Sequence, residues 1–321
     1  MQDRIIVLGA SGQIGTVLTA ELRNVYGVNN VLATDIYPQE HSEGPFEVLD
    51  VLNIHRMAEL FEAFKPTQVY HLAAILSANG ESNIKKTWHI NMDGFLRVLE
   101  IALEKGVSKI FFPSSIAVYG PTTPKVDTPQ DCPLLPSTVY GISKMTGEVW
   151  SDYMFQRYGL DIRSLRYPGV IGWQSIPSGG TTDYAVEIYH EAFKKGHYEC
   201  FLKEDTMLPM IYMPDAIRAT IELMDAPKAS IGLHYGYNLS GMSFTPKQIA
   251  DSIRYFMPEF TISYQPDFRQ EIAESWVKSI DDSRARKDWG WKPAFDLHKM
   301  TMDMLLHLQK QYGKVVISPV S

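Results

Sequence analysis

The chain has 321 residues, 45% of them hydrophobic, enough to build the core of one large domain or two fused lobes. A formal net charge of -7 leaves no basic excess for tracking phosphate backbones, so no nucleic-acid partner is expected. Two cysteines, Cys132 and Cys200, exclude a disulfide-dense secreted scaffold and favour a reducing compartment.

In chain order, Met1-Gln-Asp-Arg4 runs straight into "IIVLG", leaving no room for a secretory leader. No apolar run approaches the ~20 residues that span a bilayer, so no membrane partner is expected. The location implied is cytoplasmic, or an organelle matrix if a leader has been removed. Residues 4–9, 31–36, 68–74, 109–115 and 161–167 are near-continuous apolar runs of strand length, the pattern of strands buried on both faces. Between them, residues 13–27, 54–64, 91–106 and 137–159 carry apolar side chains at helical spacing, several ending in the glycine that favours helix termination. The alternation predicts an α/β fold: a Rossmann-type doubly wound parallel sheet with helices on both faces. After Arg166 the pattern loosens. Residues 169–183 read as loop, and helices over 184–196, 214–225 and 296–312 mix with short strands. This predicts a dinucleotide-binding domain of residues 1–168 plus about 211–240, and a smaller C-terminal substrate lobe of about 169–210 plus 241–321.

The first strand is followed by Gly9-Ala-Ser11-Gly12-Gln13-Ile14-Gly15 and then a helix. Glycines there let backbone approach a pyrophosphate, and the helix N-terminus offers free N–H groups and positive dipole. Asp35 stands 20 residues beyond Gly15, at the tip of the next strand. A carboxylate there suits the adenosine ribose hydroxyls and repels a 2′-phosphate, which favours NAD over NADP. Further along, Tyr140 and Lys144 sit at i and i+4 on one helix face. A free phenol, with a pKa near ~10, is a poor base at neutral pH; an adjacent cation stabilises its phenolate. Ser114 and Ser115 end a strand on the sheet edge where ligands of such folds bind. The nine histidines are scattered, with no H-x-x-x-H or C-x-x-C spacing, so no metal is expected.

The G-x-x-G-x-x-G spacing, with the Tyr-Lys pair, resembles the short-chain dehydrogenase/reductase superfamily in its extended branch. Other matches follow in order. Val118-Tyr119-Gly120 resembles the family's V-Y-G, which aligns Ser115 with the catalytic serine and Ser114 with a second contact. His71-Leu72-Ala73-Ala74 resembles the strand end beside the cofactor, Asp50-Val51 the pair near adenine, and Asn91 the structural asparagine. Arg166-Tyr167-Pro168-Gly169 follows the strand that packs on the nicotinamide amide, and Trp289-Gly290-Trp291-Lys292-Pro293 resembles a C-terminal turn of the branch. The resemblance implies Tyr140 as general base, assisted by Lys144 and Ser115. It implies NAD bound through Gly9, Ser11, Gly12, Gln13, Ile14, Gly15, Asp35, Asp50, Val51, Leu72, Ala73, Ala74, Asn91, Tyr140, Lys144, Tyr167 and Pro168. It also implies a homodimer paired through the helices at 91–106 and 137–159.

Most members of the branch act on nucleotide sugars and need cations for the diphosphate. Here residues 201–216, "FLKEDTMLPMIYMPDA", hold no arginine, and Lys203 lies beside Glu204 and Asp205. "PGVIGW" followed by "SGGTTDYA", residues 178–185, instead resembles members that oxidise the C3 hydroxyl of L-threonine. That implies a zwitterion held by Ser77, Ser114, Ser115, Tyr140, Thr181, Thr182 and Asp183, under a loop over 178–185 that orders on the substrate. Two rivals stand beside this: a nucleotide-sugar epimerase or dehydratase, and a non-catalytic dinucleotide-binding regulator. Retention of Tyr140, Lys144 and Ser115 together argues against the regulator.

Overall fold

The computed structural model describes residues 3–39, 42–174 and 180–313. In chain order the elements are β1 (Ile5–Leu8), α1 (Gln13–Tyr26), β2 (Val31–Asp35), β3 (Phe46–Val48), α2 (Ile54–Phe64), β4 (Gln68–His71), α3 (Ser77–Gly80), α4 (Ile84–Trp88), α5 (Gly94–Glu104), β5 (Lys109–Ser115), α6 (Val139–Tyr158) and β6 (Asp161–Tyr167). The later half adds β7 (Gly169–Ile171), α7 (Tyr184–Lys195), β8 (His197–Cys200), β9 (Leu208–Tyr212), α8 (Met213–Asp225), β10 (Tyr237–Asn238), β11 (Met242–Phe244), α9 (Pro246–Phe256), β12 (Thr261–Tyr264), α10 (Arg269–Ser275), α11 (Ser283–Trp289) and α12 (Leu297–Tyr312).

The main sheet has seven parallel strands in the order β10-β6-β5-β4-β1-β2-β3. The chain starts at β1, winds outward to β3, then returns to β4 on the other side of β1. That reversal opens a crevice at the C-terminal ends of β1 and β4, the place where doubly wound sheets bind ligands. β1, β4 and β6 are buried at every position; β1 is wholly apolar, while β6 buries Asp161, Arg163 and Arg166 in ion pairs and hydrogen bonds. One face of the sheet packs on α2, α5 and α6 through residues such as Leu60, Phe95 and Met154. The other packs on α1 and α8 through Leu18, Ile217 and Leu223.

A three-stranded sheet, β11-β9-β7, and a parallel pair, β12-β8, form the second lobe with α7, α9 and α12 around a core of Tyr184, Tyr189, Phe201 and Met304. Two details differ from expectation. Ala285 and Trp291, placed in the lobe by the sequence reading, belong to the core of the main sheet, where Trp291 Nε1 donates to the Ser240 carbonyl at 3.1 Å. The predicted helix over 91–106 begins as α5 only at Gly94, because a π-helical turn spans His89–Asp93.

Candidate active site

The loop from β1 to α1 begins at Gly9, whose φ of +85° favours glycine; a Cβ there would come within 2.6 Å of the Ala73 nitrogen. At Gly15 a Cβ would strike the Gly9 carbonyl, so both glycines serve the close packing of loop, helix and β4. Gly12 differs: a Cβ would meet only the Gly9 carbonyl oxygen, at 3.6 Å, and its outer side opens on the crevice. Gly12 is also the N-cap of α1, with no side-chain cap and no acid in the first turn. Among the described residues no side chain caps the first N–H groups of α1, and Gly12 to Gly15 line the crevice, as a bound pyrophosphate requires. Asp35 ends β2 and accepts the Ser11 N–H at 2.9 Å and the Ile36 N–H at 2.8 Å. Its carboxylate thus holds the glycine loop. These residues fit a dinucleotide.

The crevice widens into a cavity of about 280 Å³. Gly9, Gly12, Gln13, Ile14 and Gly15 line it, with Leu72, Ala74, Ser77, Ser114, Ser115, Tyr140, Lys144, Tyr167 and Pro168. Thr181, Thr182 and Asp183 line the same cavity, so the three groups of residues singled out from sequence converge. Ser178 and Gly179 of the expected loop lie outside the described residues.

Helix α6 sets the chemistry. It starts at Val139 because Thr138 Oγ1 caps the Gly141 N–H at 3.0 Å and Glu81 accepts the Val139 N–H at 2.7 Å. Gly141 and Gly147 let the helix press on the end of β5: Cβ atoms there would run into the Ala117 carbonyl and the Phe112 ring. Lys144 is buried, donates to the Pro113 carbonyl at 2.7 Å, and lies 5.6 Å from the centre of the Tyr140 ring. Burial pushes Lys144 down to about 7. Burial pushes Tyr140 up to about 12, and a hydrogen bond from Ser115 works against that rise. Ser115 also accepts the Ala117 N–H at 3.2 Å, which fixes its rotamer.

Several residues serve otherwise than expected. The Ser114 hydroxyl donates to Glu148 at 2.5 Å, so its proton is committed there, although Ser114 lines the cavity together with Ser115. Asn91 does not line the cavity. From the π-turn its amide accepts the Ile75 N–H at 2.8 Å and donates to the Ile75 carbonyl and Ser143 Oγ, joining the strand end of β4 to α6. Ser11, Asp35, Asp50, Val51 and Ala73 also stand outside the cavity lining. Asp50 accepts the Leu52 N–H at 2.9 Å and edges a separate surface hollow. Trp276, after α10, is a wall of the cavity that the sequence reading missed, as are Leu76, Ile116 and Val170. Nothing local marks Trp276; only the folding of α10 over the sheet edge brings it there. Among the described residues, Lys144 is the one cation lining the cavity.

Comparison with known proteins agrees with this geometry. Residues 5–238 match the sequence profile of the NAD dependent epimerase/dehydratase family. The chain is 46% identical over 308 residues to a mitochondrial L-threonine 3-dehydrogenase of Bos taurus, covering 95% of this chain and 82% of that protein. Its fold is similar to the holo form of a GalE-like L-threonine dehydrogenase from Cupriavidus necator, with a TM-score of 0.93, 50% identity and coverage of 95% and 99%. It is also similar to the apo form of a monomeric L-threonine 3-dehydrogenase from a metagenome, with a TM-score of 0.92, 48% identity and coverage of 96% and 99%. A glycine loop under an uncapped helix, a Tyr-Lys-Ser cluster in the same crevice and a family match over most of the sequence lead to one conclusion: the chain belongs to the NAD dependent epimerase/dehydratase family.

Proposed function

We propose that the protein oxidises L-threonine at C3 to 2-amino-3-oxobutanoate, with NAD as cofactor. The observation that carries the reading is a single cavity lined together by the glycine loop, by Tyr140, Ser115 and Lys144, and by Thr181, Thr182 and Asp183. Hydroxyls suit the substrate carboxylate and a carboxylate suits its ammonium. Ser115 orients the C3 hydroxyl, and Tyr140, as phenolate, takes its proton. Lys144, one helical turn on, stabilises that phenolate and binds the nicotinamide ribose. Bound NAD supplies the hydride acceptor. Asp35 selects it over NADP by repelling a 2′-phosphate. A nucleotide-sugar substrate fits less well, since its diphosphate calls for cations and Lys144 is the one described cation in the lining.

The test is reduced-cofactor absorbance with NAD or NADP and a panel of amino acids and nucleotide sugars. Turnover with L-threonine and NAD, far above that with NADP, is expected. Turnover of a nucleotide sugar in its place, or none of any kind with NAD bound, retires the reading in favour of an epimerase or a regulator.

Among the described residues, no helix is long and apolar enough to cross a membrane. We place the protein's work in a reducing compartment, cytoplasm or organelle matrix, where Cys132 and Cys200 stay free. We also propose a homodimer through α5 and α6, on the exposed apolar stripe described below.

A further inference from the structure

Behind the cavity, on the α6 side of β5 and β6, lies a buried polar cluster that the reaction does not use. Glu148 and Arg166 pair at 2.8 Å, with only 2% of either side chain exposed. Arg166 donates to both Glu148 oxygens through Nε at 3.0 and 3.3 Å, and again through Nη2. Its Nη1 donates to Asn238 Oδ1 at 3.0 Å and to the Gln130 carbonyl at 3.1 Å. Ser114 completes the carboxylate's shell at 2.5 Å. Gly236 leaves room, since a Cβ there would run into the Glu148 carboxylate. A buried ion pair is weak evidence of stability, because desolvation consumes most of its attraction and apolar residues of similar volume often do as well. The cluster calls for another reason.

Its members adjoin the chemistry. Ser114 precedes Ser115, and Arg166 precedes Tyr167; the parallel register sets Ser114 against Arg166 and Ser115 against Tyr167. Glu148 follows Lys144 by one helical turn and Tyr140 by about two. One carboxylate therefore ties the helix carrying Tyr140 and Lys144 to the strand ends carrying Ser115 and Tyr167. Asn238 Nδ2 extends the cluster to the Thr128 carbonyl and, on the segment that follows Trp276, to the Asp281 carbonyl, each at 3.0 Å.

We propose that Glu148, Arg166 and Ser114 are positioning residues, which hold α6 against β5 at the spacing where the Ser115 hydroxyl reaches the Tyr140 oxygen. This rests on the reading of Tyr140 as base. Two substitutions test it without changing charge. Ser114→Ala removes one hydrogen bond. Arg166→Lys keeps the cation but cannot grip both carboxylate oxygens and Asn238 together. Ser115 bonds Tyr140, Lys144 lies 5.6 Å from its ring centre, His71 acts electrostatically on Lys144, and Asp183 lines the same cavity; neither substitution alters any of them.

The readout is the ultraviolet titration of the Tyr140 phenolate with NAD present, taken as the difference between each protein and its Tyr140→Phe counterpart. Thermal melting shows which variants are folded. The midpoint should rise by about one pH unit in each variant, because a displaced Ser115 no longer stabilises the phenolate. The turnover number at neutral pH should fall about tenfold, with the KM for NAD unchanged. A folded Ser114→Ala protein whose Tyr140 titrates with the wild type overturns the proposal. That variant decides alone if Arg166→Lys does not fold. The titration needs no substrate, so inactivity toward L-threonine would count against the substrate reading and leave this result standing.

Discussion

Burial by itself makes Tyr140 a worse base than a free phenol, since it raises the pKa to about 12 and disfavours the charged form. The Ser115 hydroxyl works against that rise, and in the proposed reaction the Lys144 ammonium and the positive ring of bound NAD would lower it further. Turnover should accordingly rise with pH as the phenolate forms, a limb that pH–rate profiles will show. Tyr140→Phe keeps the ring and removes the oxygen; it should cut kcat by at least ~10²-fold with NAD affinity near normal, read by steady-state kinetics beside NAD titration. Lys144 carries the opposite burden. Its pKa falls from 10.5 to about 7, so the unfolded chain holds the proton more tightly. The penalty is full below about 7 and lifts as pH rises toward 10.5, so this group makes the ligand-free protein more stable as pH increases across that window. Lys144→Met should therefore raise Tm at pH 7 while abolishing most turnover, a stability–activity exchange that calorimetry and kinetics can check together. In the cavity wall, Asp183 accepts the Gly180 N–H at 2.9 Å and Thr181 is buried. Thr182→Ala or Asp183→Ala should lower kcat/KM for threonine by roughly 10- to 100-fold, as the loss of a hydrogen bond to a charged group implies, with NAD binding unchanged. Wild-type values in both variants would reduce this stretch to a connector.

Helix α6 was plain in the sequence, yet its hydrophobic stripe is weak: its buried face carries Gly141, Ser143, Lys144, Gly147, Glu148 and Ser151. The helix packs by closeness rather than by large apolar side chains. Gly141→Ala tests that. The added methyl would meet the Ala117 carbonyl and Pro136, and backbone gives way poorly. It should cost about 1–3 kcal/mol in stability and also lower kcat, because the same contact spaces Tyr140 from Ser115. Thermal melts and kinetics on one variant would separate the two effects. The main strands and α1, α2 and α6 were legible because strands buried on both faces read as apolar runs and helices as periodic ones. The short β3, β7 and β8 were not. β3 and β7 are only three residues long and β8 alternates exposed and buried positions, so none shows the apolar run that marks the four-residue β1. The π-turn at His89–Asp93 was equally silent, since its wide geometry serves Asn91's bonds to Ile75 and Ser143, contacts far along the chain.

Across the whole molecule, α6 exposes Ile142, Val149, Trp150 and Tyr153, and α5 exposes Leu103. Ile142, Val149 and Tyr153 are spaced to share one face, and Trp150 meets Tyr153 edge-on at 5.5 Å. Such a stripe on paired helices suits a twofold self-contact, where one patch meets its own copy. Val149→Lys should shift a dimeric protein to monomer in sedimentation without loss of the fold; a wild type that sediments as a monomer retires the dimer. The amino-acid sequence by itself determined the doubly wound sheet, the glycine loop with its acid, and the Tyr-Lys spacing, because each depends on near neighbours: strand burial, turn geometry and one helical turn. Tertiary structure alone decided that the Ser114 proton goes to Glu148, which backbone groups Asn91 bonds, that Glu148 and Arg166 meet behind the site, and that Trp276 walls the cavity. Those outcomes depend on strand register and on how the second lobe folds over the sheet edge, and both arise from contacts between residues tens to more than a hundred positions apart.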